Sequence, residues 1–230
     1  MSIKVNYGKS VHGKEEIKAV SDTIRNSTQM GKQTKKFENE ISKLFNKKFG
    51  LMVNSGSSAL LLAYEILPIP KGSNIITPIL TFSTTVSSMI KAGFVPNFVD
   101  IDPRTYCIDE KKIEQSINNK TKAISVPNLL GNIPDWIVIK KIAKKHDLII
   151  IEDSADALGS RINNLSSGKY SDFSITSFYG SHIINCAGNG GYLGINNKKL
   201  YERAKLLRSW GRSSSLYDQN SEKIENRFNI

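Results

Sequence analysis

Six short apolar runs recur between residues 74 and 195, and stretches of helical spacing separate most of them. That alternation leaves few architectures open. The runs are NIITPIL at 74–80, VPNFVDI at 95–101, KAISV at 122–126, LIIIED at 148–153, FSITSF at 173–178 and GYLGI at 191–195. Helix-like segments lie near 57–66, 83–92, 110–118, 137–146 and 198–209. Strands joined through helices predict an α/β fold, a mainly parallel sheet between two layers of helices. Ahead of it, Ile17, Val20 and Ile24 in 14–26, then Phe37, Ile41, Leu44 and Phe45 in 35–45, fall at helical spacing. The chain reads as one α/β domain with a helical lead-in, without repeats or linkers.

Such sheets bind ligands beyond the carboxyl ends of their strands. The informative residues therefore run from Pro78 to Thr85, Asp100 to Asp102, Pro127 to Asn132, Asp153 to Gly159, and Ser177 to Gly191. In the first helical approach, Asn54-Ser55-Gly56-Ser57-Ser58 precedes the apolar run LLLAY. Amides and hydroxyls at a helix start suit a phosphate, and equally an ordinary cap. A buried run ends in Glu152-Asp153-Ser154-Ala155-Asp156, where an acid can hold a protonated ring nitrogen, bind a metal or cap a loop. Asp100 and Asp102 sit in an Asp-Pro turn and read as structural. His182 follows Ser177 in a loop rich in Gly and Ser; its imidazole suits a proton carrier or a solvated loop.

Charge adds a competing idea. The net charge of +11 invites nucleic acid as a partner. Yet the lysines come in scattered pairs such as Lys35/Lys36, Lys111/Lys112 and Lys144/Lys145, on the polar faces of predicted helices. No nucleic acid and no membrane are expected as partners. No apolar run reaches the roughly 18 residues that span a bilayer, and the start lacks a signal-peptide core. Cys107 and Cys186 are far apart, and with three His a metal cluster is not expected. A reduced, cytoplasmic setting fits.

Together, GKQTKKFE (31–38), SGSSAL (55–60), TPILTFSTT (77–85), FVDIDPRTYCID (98–109), LLGN (129–132), IIEDSADALGS (150–160) and SFYGSH (177–182) carry a specific resemblance. The chain resembles the DegT/DnrJ/StrS family of pyridoxal-phosphate-dependent nucleotide-sugar aminotransferases, from about residue 7 onward. The resemblance implies the aspartate-aminotransferase-like (type I) large domain, a homodimer, and pyridoxal or pyridoxamine 5′-phosphate as cofactor. It also implies roles. The backbone of Gly56, Ser57 and Ser58, with Ser177, binds the cofactor phosphate. Asp153 pairs with the pyridinium nitrogen, and Phe82 stacks on the ring. Asp156 stands where most members carry a glutamine that meets a ring substituent.

One departure redirects the reading. Aminotransferases of the family carry their Schiff-base lysine at the position of His182, and an imidazole cannot form that bond. The same exchange marks the family's sugar 3-dehydratases, and SFYGSH with LLGN is similar to the colitose-pathway type. The implied reaction removes the 3-hydroxyl of a nucleotide-linked 4-keto-6-deoxyhexose, with His182 as base and acid and an amino donor such as glutamate restoring the amine cofactor. An iron–sulfur branch needs four cysteines, and this chain has two. The loop from His182 to Gly191 is one residue longer than usual, with Asn189 in place of a glutamate. The ending Glu225 to Ile230 reads as an interruption before a small C-terminal domain. The rival expectations are an aminotransferase, an inactive truncated remnant and, last, a basic nucleic-acid binder.

Overall fold

A computed structural model of the chain describes residues 10–26 and 30–216. The sequence motifs before residue 10 and at Glu225 to Ile230 lie outside them. Helices α1 (Lys14–Asn26) and α2 (Lys32–Leu44) lead into strand β1 (Phe49–Val53) and helix α3 (Gly56–Glu65). Then follow β2 (Asn74–Pro78), α4 (Ser83–Lys91), β3 (Val95–Val99), α5 (Glu110–Ile113), β4 (Thr121–Pro127), α6 (Trp136–Lys145) and β5 (Ile149–Asp153). A small hairpin, β6 (Arg161–Ile162) and β7 (Leu165–Ser166), precedes β8 (Phe173–Ser177), β9 (Gly191–Ile195) and α7 (Lys198–Arg208).

Seven strands form one sheet in the order β1-β9-β8-β5-β4-β2-β3. Neighbours from β8 through β5, β4 and β2 to β3 are parallel, while β9 runs antiparallel to both β8 and β1. The mainly parallel sheet is thus as the sequence predicts, with one strand reversed. Alternation along the strands sorts side chains to two faces. Ile75, Ala123, Ile151 and Ile175 pack with α3, α4 and α7 residues such as Leu60, Ala63, Met89 and Ala204. Their neighbours Ile76, Ile124 and Ile150 pack instead with Ile113, Trp136, Ile139 and Ile142 of the α5–α6 side.

Three elements differ from the sequence reading. Strand β1 is hidden in sequence because it is short and its second residue is glycine. A Cβ at Gly50 would lie 2.4 Å from both the Tyr192 ring and Ser42 Oγ, so only glycine lets that ring cross the strand. The β6–β7 hairpin turns on Asn163 and Asn164, both left-handed (φ 50° and 64°), a conformation that asparagine tolerates. The helix expected over 110–118 is a single turn, α5, followed by a 3-10 turn at Glu114–Ser116.

The lead-in helix α1 does form, but none of its residues is buried. Its apolar Ile17, Val20 and Ile24 are exposed. Among the described residues no helix is long and apolar enough to cross a membrane.

Candidate active site

Because β1, β2, β4, β5 and β8 all point the same way, their carboxyl ends share one edge of the sheet, and β9 begins there. The register places Gly191 opposite both Val53 and Ser177, and Asp153 beside Pro127 and Ile175. Every candidate site residue lies at or just after one of these strand ends. Topology thus gathers segments more than a hundred residues apart.

The turn from β1 into α3 comes first. Ser55 caps the helix: its Oγ accepts from the Ser58 amide and donates to Ser58 Oγ, each at 3.1 Å. The Ser58 amide is therefore already engaged. The amides of Gly56 and Ser57 lie in the first turn, where no intrahelical acceptor exists. The Ser57 hydroxyl donates to Thr84 Oγ1 at 3.0 Å, tying this turn to α4. The turn lies hard against its neighbours. A Cβ on Gly56 would come within 2.8 Å of Ser177 Cβ, and one on Gly191 within 2.1 Å of Ser55 O. Glycine at both positions lets the α3 start, Ser177 and the start of β9 approach this closely, which gathers the first-turn amides and Ser177 into a shallow cradle. The helix dipole adds positive character there. Ser177 Oγ, in turn, accepts from the Tyr179 amide at 3.3 Å.

Asp153, at the end of β5, is 6% exposed. Its Oδ2 accepts from Thr85 Oγ1 at 3.1 Å and its Oδ1 from the Ala155 amide at 3.2 Å. Burial pushes its pKa up to about 6, against which these hydrogen bonds pull down. A carboxyl so placed is poised to accept a cation. Phe82 precedes α4 with its ring largely exposed, an aromatic face open to a planar ligand.

His182 stands in the loop after β8, its amide donating to Tyr179 O at 3.0 Å and its ring edge-on to Tyr179 at 6.3 Å. Its Nδ1 lies 3.7 Å from Asp156 Oδ1. The other oxygen of Asp156 accepts from the Leu130 amide at 3.1 Å. Farther along the loop, Asn185 Oδ1 meets His12 Nε2 at 2.8 Å, and Ser10 Oγ donates to Gly180 O at 2.8 Å. The segment before α1 thus ties down the loop that carries His182.

Sequence reasoning alone does not single out Thr84, Leu130, Tyr179, Ser10 or His12 for the site. Leu130, Thr84 and Tyr179 leave only a trace, as members of LLGN, TPILTFSTT and SFYGSH. Asp100 and Asp102 shape the turn before α5: Asp102 pairs with Arg104, and Ile101 bridges Ile108. A separate groove of about 630 Å³, lined among others by Met30, Leu61, Leu207 and Trp210, opens beyond Ser58. Among the described residues no three His, Cys, Asp or Glu side chains gather as a metal site, and Cys107 and Cys186 are free.

Comparison with known proteins extends the picture. Residues 10–228 match the DegT/DnrJ/EryC1/StrS aminotransferase family. The chain is 33% identical over 228 residues to a GDP-4-keto-6-deoxy-D-mannose 3-dehydratase of Yersinia pseudotuberculosis, covering 95% of this chain and 58% of the relative. It is 35% identical over 207 residues to a GDP-perosamine synthase of Escherichia coli O157:H7, covering 89% and 56%. A solved E. coli GDP-4-keto-6-deoxy-D-mannose-3-dehydratase with bound hydrated PLP superimposes with a TM-score of 0.91 at 29% identity, covering 100% of this chain and 62% of that one. The chain therefore spans little more than half the length of these curated relatives. The fold it shares with the solved dehydratase is the aminotransferase-like α/β fold.

Proposed function

Because this chain belongs to the DegT/DnrJ/EryC1/StrS aminotransferase family, we propose that it acts on nucleotide sugars with pyridoxal or pyridoxamine 5′-phosphate. Its reaction is the 3-dehydration of a nucleotide-linked 4-keto-6-deoxyhexose, in surface-polysaccharide biosynthesis. One observation carries the choice. At the edge where the cradle, Asp153 and Phe82 meet, the ionisable loop group is an imidazole, and residues 177–191 contain no lysine.

The residues fit the cofactor. The close approach of the α3 start to Ser177, which glycine at positions 56 and 191 permits, brings the Gly56 and Ser57 amides and Ser177 together for a phosphate. Ser58 acts there through its cap contact with Ser55. The buried, otherwise costly carboxylate of Asp153 suits a protonated pyridine nitrogen, and exposed Phe82 suits a ring face. When bound, the cofactor supplies an amine for the sugar keto group and a sink for electrons. Asp153 keeps the ring nitrogen protonated. His182 Nε2 takes up one proton and returns one to the departing hydroxyl, which leaves as water. Asp156 borders His182, and glutamate is the amino donor.

Residues 1–230 form the cofactor-holding large domain with its helical lead-in, working in the cytoplasm as a homodimer. The exposed apolar residues of α1, and Ile79, Leu80, Ile183 and Ile184 near the site, support a second copy as partner. The aminotransferase reading draws on the similarity to the perosamine synthase. It needs a lysine that reaches the site.

With pyridoxamine phosphate and a nucleotide-linked 4-keto-6-deoxyhexose, His182→Asn should lower C3 deoxygenation by about 100-fold or more. Equal turnover would remove His182 from the reaction. Borohydride treatment with pyridoxal phosphate should leave no label on a single lysine; stable trapping would restore the aminotransferase.

A further inference from the structure

Two of the site positions at which this sequence departs from the family pattern, His182 and Asp156, face each other in space. Asp156 is held by the Leu130 amide at 3.1 Å, and Leu130 is a non-glycine residue in the left-handed region (φ 56°, ψ 25°). The Leu130 side chain is exposed, so it gains no packing in return for that strain. What the conformation delivers is an amide aimed at Asp156 Oδ2. On the other side, the hydrogen bond from the His182 amide to Tyr179 O closes a tight turn, and the Tyr179 ring flanks the imidazole.

We infer that Asp156 is a positioning residue that fixes His182 as the Nδ1–H tautomer and so leaves Nε2 as the proton acceptor; this rests on the function proposed above. A neutral imidazole carries one N–H, and an ionised carboxylate can only accept. An imidazole nitrogen turned toward a carboxylate is therefore the protonated one. A neutral amide at position 156 would offer its N–H as readily as its oxygen and would leave the tautomer open. When Nε2 takes a proton, the imidazolium has its counter-charge 3.7 Å away. Nδ1 keeps its own proton throughout, Asp156 stays ionised, and the proton gained at Nε2 is the one surrendered to the leaving hydroxyl. At 3.7 Å Nδ1 and the carboxylate are in contact but beyond full hydrogen-bond length while the ring is neutral, and they become an ion pair once Nε2 is protonated.

The test reads the ring nitrogens directly. The full chain is labelled with 15N-histidine, without substrate, and His182 is assigned by the signal lost in His182→Asn. The wild-type protein should be mainly Nδ1–H at alkaline pH. Asp156→Asn should move the population severalfold toward Nε2–H at unchanged circular dichroism, and Asp156→Glu should restore the wild-type distribution. In turnover assays Asp156→Asn should lower kcat by about 100-fold and change KM by less than about threefold. A wild-type ring that is mainly Nε2–H overturns the inference, even if the variants do not fold. So does a tautomer ratio that Asp156→Asn leaves alone. A correct tautomer in a chain that does not dehydrate the sugar would overturn the proposed function and leave the pairing intact.

Discussion

Asp153 shows how one residue can be costly alone and useful in company. Burial pushes its carboxyl from the ordinary 3.8 up to about 6 in the fold. Below pH 3.8 both states are protonated and the group is neutral to stability. Between 3.8 and about 6 the folded state binds more protons, so stability falls as pH rises. Above that the whole penalty applies, of the order of 3 kcal/mol. Asp153→Asn should therefore stabilise the cofactor-free protein at pH 7 by up to about 3 kcal/mol and leave it unchanged at pH 3.5, in urea titrations at both values. The same variant should lose pyridoxal phosphate affinity. Gly191 makes the opposite case, a residue required for what it lacks. A Cβ at that position would lie 2.1 Å from Ser55 O. Gly191→Ala should therefore cost about 1–3 kcal/mol and weaken pyridoxal phosphate binding, as read by absorbance titration. Motif reading singles out Asp153, His182 and the serines as candidates because strand ends are visible in sequence. It misses Leu130 and Thr84 because their part is played by an amide and a packed hydroxyl, which any sequence offers in abundance.

At the scale of elements, the helices around the first strand are held by a charge pair that spans 170 residues of chain. Arg208 Nη1, from the end of α7, donates to Glu38 Oε1 on α2 at 2.6 Å and to Met52 O at 3.1 Å. The Met52 amide of β1 donates to the same Glu38 oxygen at 2.8 Å. Both side chains are largely withdrawn from water (11% and 15% exposed). Glu38→Gln leaves a guanidinium without its counter-charge, and should destabilise by about 3–5 kcal/mol, measured by chemical denaturation. A cost below about 1 kcal/mol, the range of surface pairs, would mean that α7 does not depend on α2. Helix positions are legible because α3, α4, α6 and α7 bury one face each. Strand β1 is not, because Gly50 breaks its apolar pattern for the sake of Tyr192, a neighbour on β9 that no local window contains.

For the molecule as a whole, the exposed apolar residues Ile17, Val20 and Ile24 on α1, with Ile183 and Ile184 by the site, leave a surface that a monomer would expose to water. Sedimentation should give twice the chain mass of 25.6 kDa. Ile17→Ser combined with Ile24→Ser should shift the protein toward monomer, and an unshifted distribution would place the contact elsewhere. The sequence by itself determined the alternation of strands and helices, the reading of a mainly parallel sheet, and the residue types waiting at each strand end. These follow from local periodicity, which every short window carries. Only the tertiary structure decided that β9 reverses between β1 and β8, that Gly56 closes on Ser177, and that Asp156 meets His182. Those facts depend on contacts between distant segments, where the strand order of the folded sheet, not spacing along the chain, sets who is near whom.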